Sequence, residues 1–149
     1  EIFVFVFFGL VATVGTTFVM MERIPWTVWS LASAVGSLAC ALLVVNNLRD
    51  IPTDSQVGKR TLAVRMGDRR TRVFYALLIL GSFVLAWSTA IDRPGVLLTA
   101  VALPVGLVPM RRVLGGTSGR DLIAVLGSTS RLQMSFGLLA VVGLFITGR

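Results

Sequence analysis

The amino-acid sequence predicts an all-α integral membrane protein with about five transmembrane helices. Of its 149 residues, 55% are hydrophobic and only 14% are charged, whereas soluble domains carry roughly a quarter charged residues. Residues 2–20, 26–45 and 73–91 contain no charged side chain at all. At 1.5 Å per residue, a helix of about 20 residues crosses a hydrocarbon core of about 30 Å. Three such runs in one short chain argue against an ordinary soluble domain.

Each charge-free run predicts one transmembrane helix, and two shorter apolar runs predict the fourth and fifth. The shorter runs can span if they borrow flanking residues or if the bilayer thins locally. Pro104 and Pro109 predict kinks in the fourth helix. The chain is thus predicted to be a single transmembrane helical unit, with residues 47–72 as a loop. The predicted helices are residues 2–20, 26–46, 73–91, 95–111 and 131–147.

Basic residues concentrate in two of the four connections, namely loop 47–72 and the connection between the fourth and fifth helices. By the positive-inside rule, both connections face the cytoplasm. This orientation signal, together with attraction to anionic membrane lipid, explains the net charge of +7 without a nucleic-acid partner. We interpret Arg65, Arg69, Arg70 and Arg72 in the same way, as topology signals and lipid-facing anchors rather than ligands.

Missing residue types restrict the chemistry. The chain has no His, which excludes Ser-His-Asp and Cys-His nucleophilic catalysis by its own residues. With a single Cys and no His, it also lacks the usual ligands of a tetrahedral zinc site. Cys40 lies in the middle of the second predicted helix among small residues and is interpreted as a packing residue. The groups that remain for chemistry include acids, amides and bases.

Residues 46–67 hold a dense set of such groups, beginning with two acids. Asp50 and Asp54 are four residues apart, so on a continuous helix their carboxylates would project from one face, with Cβ atoms about 5–6 Å apart. A divalent cation would offset their repulsion, and Mg²⁺ favours one or two carboxylates completed by waters and substrate phosphates. Pro52 lies between them and can bend or end the helix.

Bases follow these acids. Gly58 permits a sharp turn with exposed N–H groups, while Lys59 and Arg60 offer a point charge and a planar fork to phosphate oxygens. Acids that hold a metal, followed by bases that hold an anion, suit the binding of a metal-bound diphosphate. An ordinary basic loop, in which the two aspartates pair with Arg49 and Lys59, explains the spacing equally well, because an isolated Asp-x-x-x-Asp is a weak signal.

The extended motif resembles the second aspartate-rich motif of the UbiA superfamily of intramembrane prenyltransferases. The resemblance rests on Asn-Asn-Leu-Arg-Asp-x-x-x-Asp-x-x-x-Gly-Lys-Arg-Thr-Leu-Ala-Val-Arg-x-Gly, placed between two apolar helices. Within the superfamily it is most similar to the members that prenylate 1,4-dihydroxy-2-naphthoate in menaquinone biosynthesis. The resemblance implies a nine-helix bundle in the bacterial inner membrane, of which this chain supplies the fifth to ninth helices.

The same resemblance implies a magnesium-dependent reaction. Asp50 and Asp54 would bind Mg²⁺ that bridges to a polyprenyl diphosphate. Transfer of the polyprenyl group to 1,4-dihydroxy-2-naphthoate, with loss of the ring carboxylate as CO₂, would give demethylmenaquinone and diphosphate. The isoprenoid tail would lie in an apolar cavity between helices. The implied diphosphate contacts are Lys59 and Arg60, with Arg49, Asn46 and Asn47 nearby.

The first aspartate-rich motif of the superfamily has no counterpart among the other acids of this chain. We therefore expect a longer enzyme with further helices upstream of Glu1, and no turnover by this chain alone. Another aromatic acceptor, such as 4-hydroxybenzoate or homogentisate, stays open as an alternative. So does a non-catalytic transporter or scaffold. An alcohol phosphatidyltransferase would need a longer pattern of Asp, Gly, Ala and Arg than the sequence contains.

Overall fold

The computed structural model describes residues 1–147, which are almost entirely helical and contain no β-strand. Within this range, five helices are long and apolar enough to cross a membrane. A sixth helix, Leu62–Met66, is too short to cross. The predicted all-helical membrane architecture is therefore confirmed. The helices are α1 (Ile2–Met21), α2 (Trp26–Gln56), α3 (Leu62–Met66), α4 (Asp68–Trp87), α5 (Pro94–Leu114) and α6 (Gly119–Thr147).

The observed helix bounds depart from the prediction around the motif and at the start of α6, which begins at Gly119 rather than at the predicted residue 131. Helix α2 continues beyond its predicted end at residue 46 and stops at Gln56, so much of the predicted loop 47–72 is helical. Pro52 lies inside α2 and does not end it. Because Pro52 has no N–H, the carbonyl of Leu48 loses its helical donor, yet the helix continues for one further turn. Helix α4 likewise begins before residue 73, at Asp68.

Helix α2 occupies the centre of the fold and packs against α1, α4 and α6. The interior between α4 and α6 contains both aromatic and polar contacts. The rings of Phe83 and Phe136 meet edge to face, with centroids 5.2 Å apart. The hydroxyls of Tyr75 and Thr129 form a buried hydrogen bond of 2.7 Å. These contacts make α2, α4 and α6 one packed unit that supports the end of α2.

Helix α1 approaches α2 so closely that only glycine fits at the crossing. A Cβ atom added at Gly9 would lie 2.6 Å from the Cα atom of Gly36, a distance that real Cβ contacts do not reach. The turns of α1 around this point, Phe5–Val11, form a π-helix. The start of α1 is therefore held against the face of α2 that leads toward the motif.

Arg72 corrects the sequence interpretation, because it is buried and is not a lipid-facing anchor. Its Nε and Nη2 atoms donate to the two carboxylate oxygens of Asp68 at 2.6 and 2.8 Å. Its Nη1 atom donates to the backbone carbonyls of Val113 and Thr117 at 2.6 and 2.8 Å. The guanidinium thus joins the start of α4 to the end of α5, and brings the two basic connections to the same end of the bundle.

Candidate active site

The unbroken course of α2 places Asp50 and Asp54 on one helical face, four residues apart. Asn47 lies one turn before Asp50 on the same side, since residues three, four and seven positions apart lie on one face of a helix. The side chain of Asp54 is 10% exposed and that of Asp50 is 29% exposed. Asn47 is buried as well. The helical geometry that a joint site requires is therefore present.

Each of these acids is paired with a base from the same motif. Arg49 donates from Nε and Nη2 to the two carboxylate oxygens of Asp50 at 2.7 and 2.9 Å. Lys59 Nζ lies 3.1 Å from both carboxylate oxygens of Asp54, although its side chain is 58% exposed. The Arg49–Asp50 pair is open to water on both sides, and such pairs contribute only about 0–1 kcal/mol. In the other pair Lys59 is the exposed member. A divalent cation could therefore displace the bases, which would then be available to an anion.

A tight chain reversal after α2 brings Lys59 back onto Asp54. The N–H of Lys59 donates to the carbonyl of Asp54 at 2.9 Å, and the N–H of Gly58 donates to that of Ser55 at 3.3 Å. Gly58 adopts φ +72°, a left-handed conformation that strains any residue with a Cβ atom. Sequence reasoning was right about the turn, but these two N–H groups bond within the turn and are not exposed to an anion.

The second half of the motif serves the fold. The Thr61 hydroxyl accepts a hydrogen bond from the N–H of Val64 at 3.3 Å and caps α3. Ala63 is buried, and its carbonyl accepts from the Thr71 hydroxyl at 3.4 Å. Gly67 adopts φ +76° where α3 meets α4. These residues build the connection from α2 to α4 that carries Lys59.

The structure brings Arg49, Asp50, Asp54 and Lys59 together with Asn47 nearby, but it places Arg60 and Asn46 apart from them. Arg60 is exposed and forms no ion pair with any residue in the range 1–147. Asn46 faces a largely apolar cavity of about 390 Å³ between α1, α2 and α6. Val4, Phe8, Leu42, Leu126 and Gln133 are among the other residues that line this cavity.

Sequence reasoning missed Glu1, which had been counted among the acids without a pattern. Its Oε1 atom accepts a hydrogen bond of 2.8 Å from Nδ2 of Asn47. No motif spacing could reveal this contact, because the two residues are far apart in the chain. Only the close approach of α1 to α2 brings them together.

The donor set fits magnesium better than other common metals. Among residues 1–147, no group of three or more His, Cys, Asp and Glu side chains is placed to hold a metal ion. The site therefore offers the two carboxylates of Asp50 and Asp54. Calcium usually takes six to eight protein and water oxygens, and zinc prefers His and Cys. Magnesium is commonly held by one or two carboxylates together with substrate phosphates.

These features define a polytopic membrane protein with a candidate diphosphate site at one end of a central helix. The UbiA prenyltransferase family matches residues 1–132, and the chain belongs to this family. The family assignment inferred from the motif is thereby confirmed. No solved structure gives a significant match.

Three curated relatives carry the name 1,4-dihydroxy-2-naphthoate octaprenyltransferase. The Mycobacterium tuberculosis protein is 44% identical over 149 residues, which cover 100% of this chain and 51% of the relative. The Mycobacterium leprae protein is 43% identical, with 96% and 48% covered. The Haemophilus influenzae protein is 33% identical, with 98% and 48% covered. The chain thus spans about half the length of the curated relatives it matches.

Proposed function

We propose that these helices belong to an enzyme that transfers a polyprenyl group from polyprenyl diphosphate to 1,4-dihydroxy-2-naphthoate. The products are demethylmenaquinol, which is the reduced form of demethylmenaquinone, together with CO₂ and diphosphate. The observation that carries the proposal is the face of α2 on which Asp50 and Asp54 lie, each held by a base of the same motif. The names of the relatives favour naphthoate over other aromatic acceptors.

In this proposal Asp50 and Asp54 hold Mg²⁺, and the neighbouring bases hold the diphosphate. The metal ion would offset the negative charge that develops on the leaving diphosphate. Arg49 presents a planar fork suited to two phosphate oxygens, and Lys59 presents a point charge beside them. Arg60, which is exposed, can join them as a further contact.

The reaction itself breaks one C–O bond and forms one C–C bond. The bonding electrons leave with the diphosphate, and the allylic carbon is attacked by the ring carbon that bears the carboxylate. Loss of CO₂ returns the electrons of the broken C–C bond to the ring. Residues of this chain contribute by binding the diphosphate and stabilising its charge, an electrostatic role that commonly supplies the largest share of catalysis.

The cavity beside Asn46 is a suitable place for the isoprenoid tail. It is lined mainly by aliphatic and aromatic side chains of α1, α2 and α6 and measures about 390 Å³. Because Asn46 lies at the start of the motif, an allylic diphosphate bound near Asp50 could direct its tail into this space.

The proposed enzyme resides in the bacterial inner membrane, with the motif on the cytoplasmic side. The hydrogen bonds from Arg72 to Val113 and Thr117 support this orientation, since they join the two basic connections at one end of the bundle. A single basic end is what the positive-inside rule requires of the cytoplasmic side.

The direct test uses the complete protein in detergent, polyprenyl diphosphate and a panel of aromatic acceptors, with products identified by mass spectrometry. We expect product with 1,4-dihydroxy-2-naphthoate, none after chelation of divalent metal, and recovery when Mg²⁺ is restored. Preferred use of 4-hydroxybenzoate or homogentisate would overturn the acceptor assignment. Undiminished turnover in the chelator would overturn the magnesium assignment.

A further inference from the structure

Glu1 is fixed against the motif helix by two contacts at the level of Asn47. Its carboxylate accepts the hydrogen bond from Asn47 Nδ2 at 2.8 Å, and its backbone carbonyl accepts from the Cys40 thiol at 3.2 Å. Cys40 and Asn47 are seven residues apart, or about two helical turns, and so lie on one face of α2. Both the backbone and the side chain of Glu1 are therefore held to that face.

The crossing of α1 and α2 explains why an acid reaches this position. The contact between Gly9 and Gly36 removes the side-chain layer that normally separates two helices. The π-helical segment Phe5–Val11 begins one turn after Glu1, beyond the α-helical residues Ile2–Val4, and single π-helical turns within α-helices occur frequently at functional sites. One turn, about 4.5 Å of helical rise, separates Asn47 from Asp50 along α2.

Glu1 does not join the two aspartates as a third metal ligand, since no group of three acids in the range 1–147 is placed to hold a metal. Its influence must instead pass through Asn47. A carboxylate can only accept hydrogen bonds, whereas an amide has a donor end and an acceptor end. The bond to Glu1 therefore requires Asn47 to turn Nδ2 toward α1. The amide oxygen, which accepts no hydrogen bond from residues 1–147, is then turned away.

We propose that Glu1 is a positioning residue that sets the Asn47 amide so that its oxygen is available to Mg²⁺ or its bound waters when the diphosphate is bound. This inference rests on the proposed function of Asp50 and Asp54. An amide oxygen is a hard ligand of the kind that magnesium and its bound waters accept. A carboxylate that orients such a ligand typically affects metal affinity or activity by about 10–100-fold.

The test compares Glu1→Gln with a matched control, Glu22→Gln, in the complete protein. Glu22 is an exposed acid beyond the other end of α1. Glutamine at position 1 keeps the size of the side chain, but it can donate to the Asn47 oxygen and so permits the flipped amide. We expect Glu1→Gln to weaken Mn²⁺ binding in the presence of inorganic diphosphate, measured by electron paramagnetic resonance, by roughly tenfold.

The kinetic readout separates positioning from general destabilisation. For Glu1→Gln we expect the KM for polyprenyl diphosphate to rise by roughly tenfold, with the KM for the acceptor and the thermal unfolding midpoint unchanged. Glu22→Gln should match the natural protein in every measurement. Asn47→Asp should impair Mn²⁺ binding, because it places two carboxylates in contact. Adding Glu1→Gln should restore part of that binding, because it returns a hydrogen-bond donor.

The proposal would be overturned if Glu1→Gln kept the natural Mn²⁺ affinity and the natural KM for the diphosphate, whether or not its unfolding midpoint fell. Failure of the double variant to improve on Asn47→Asp would also contradict it. Absence of prenyl transfer by the natural complete protein would contradict the proposed function instead. The two failures are therefore distinguishable.

Discussion

The pairs Asp54–Lys59 and Asp68–Arg72 bury their charges in opposite ways. In the first pair the acid side chain is 10% exposed and the base is 58% exposed. In the second pair the base is 10% exposed and the acid is 60% exposed. Within residues 1–147, the Lys59 side chain forms hydrogen bonds to the carboxylate of Asp54 alone, whereas Arg72 makes four hydrogen bonds, two of them to backbone carbonyls.

This difference separates a base that can serve a ligand from one that holds the fold. Lys59 is the exposed member of its pair, so it can move to a ligand once another cation takes its place beside the buried carboxylate of Asp54. Arg72 cannot leave without exposing backbone acceptors that have lost their donor, which costs about 1–3 kcal/mol for each buried group. Two bases from one basic stretch of sequence therefore have different roles, and burial decides which role each has.

Loss of either motif acid should have the largest effect. In the complete protein, we expect Asp54→Ala and Asp50→Ala to reduce kcat/KM for prenyl transfer by roughly 10²-fold or more, because each removes charge that stabilises the metal-bound diphosphate. Asp68→Ala is the matched control. It removes an exposed acid outside the site and should keep most of the activity. Either motif variant with the natural rate would contradict the metal assignment.

Replacement of Lys59 should have a smaller effect that depends on charge. A hydrogen bond to a charged group contributes about 1.5–3 kcal/mol, so we expect Lys59→Met to raise the KM for polyprenyl diphosphate by roughly 10–100-fold. Lys59→Arg should recover much of this loss, since it keeps a cation near Asp54. Steady-state kinetics with the diphosphate varied provides the measurement.

The control for this comparison is Arg65→Met, which removes an exposed cation of the same motif. We expect its KM for the diphosphate to stay within about twofold of the natural value, because screened surface charges act weakly beyond about 10 Å. Equal losses in Lys59→Met and Arg65→Met would show that the stretch acts through its net charge. The distinction drawn between individual bases would then be wrong.

Sequence reasoning predicted the membrane helices and the shared helical face of Asp50 and Asp54, because both depend on local patterns. Apolar runs match the bilayer thickness wherever they pack, and a four-residue spacing fixes a helical face once the helix exists. Arg72 and Glu1 could not be assigned in this way. The two backbone carbonyls that Arg72 binds lie on α5 and just beyond it, and the side-chain partner of Glu1 lies on α2. Both contacts therefore depend on how the helices cross.

The motif also shows that residues within a recognisable spacing can serve the backbone rather than a ligand. Pro52 suggested a break in α2, but the helix continues through it for one further turn. Thr61 and Gly67 belong to the motif by sequence, yet one caps α3 and the other turns the chain into α4. This motif therefore combines the proposed ligand residues with residues that shape the backbone around them.

The smallest expected effect on activity belongs to Arg72, which should instead affect stability. In Arg72→Met, the carbonyls of Val113 and Thr117 lose their donor, and Asp68 loses its partner. We expect the free energy of unfolding to fall by about 2 kcal/mol, measured by denaturation in mixed detergent. Asp68 is largely exposed, so its uncompensated charge should add little to this loss.

Arg70→Met is the matched control, since Arg70 is exposed on the same helix and forms no ion pair within residues 1–147. Its unfolding free energy should change by less than about 0.5 kcal/mol. Below their unfolding temperatures, both variants should keep kcat within a few-fold of the natural value. If folded Arg72→Met lost prenyl transfer as fully as Asp54→Ala, the hydrogen bonds from Arg72 to α5 would be needed for the diphosphate site itself. Burial would then no longer distinguish the two pairs.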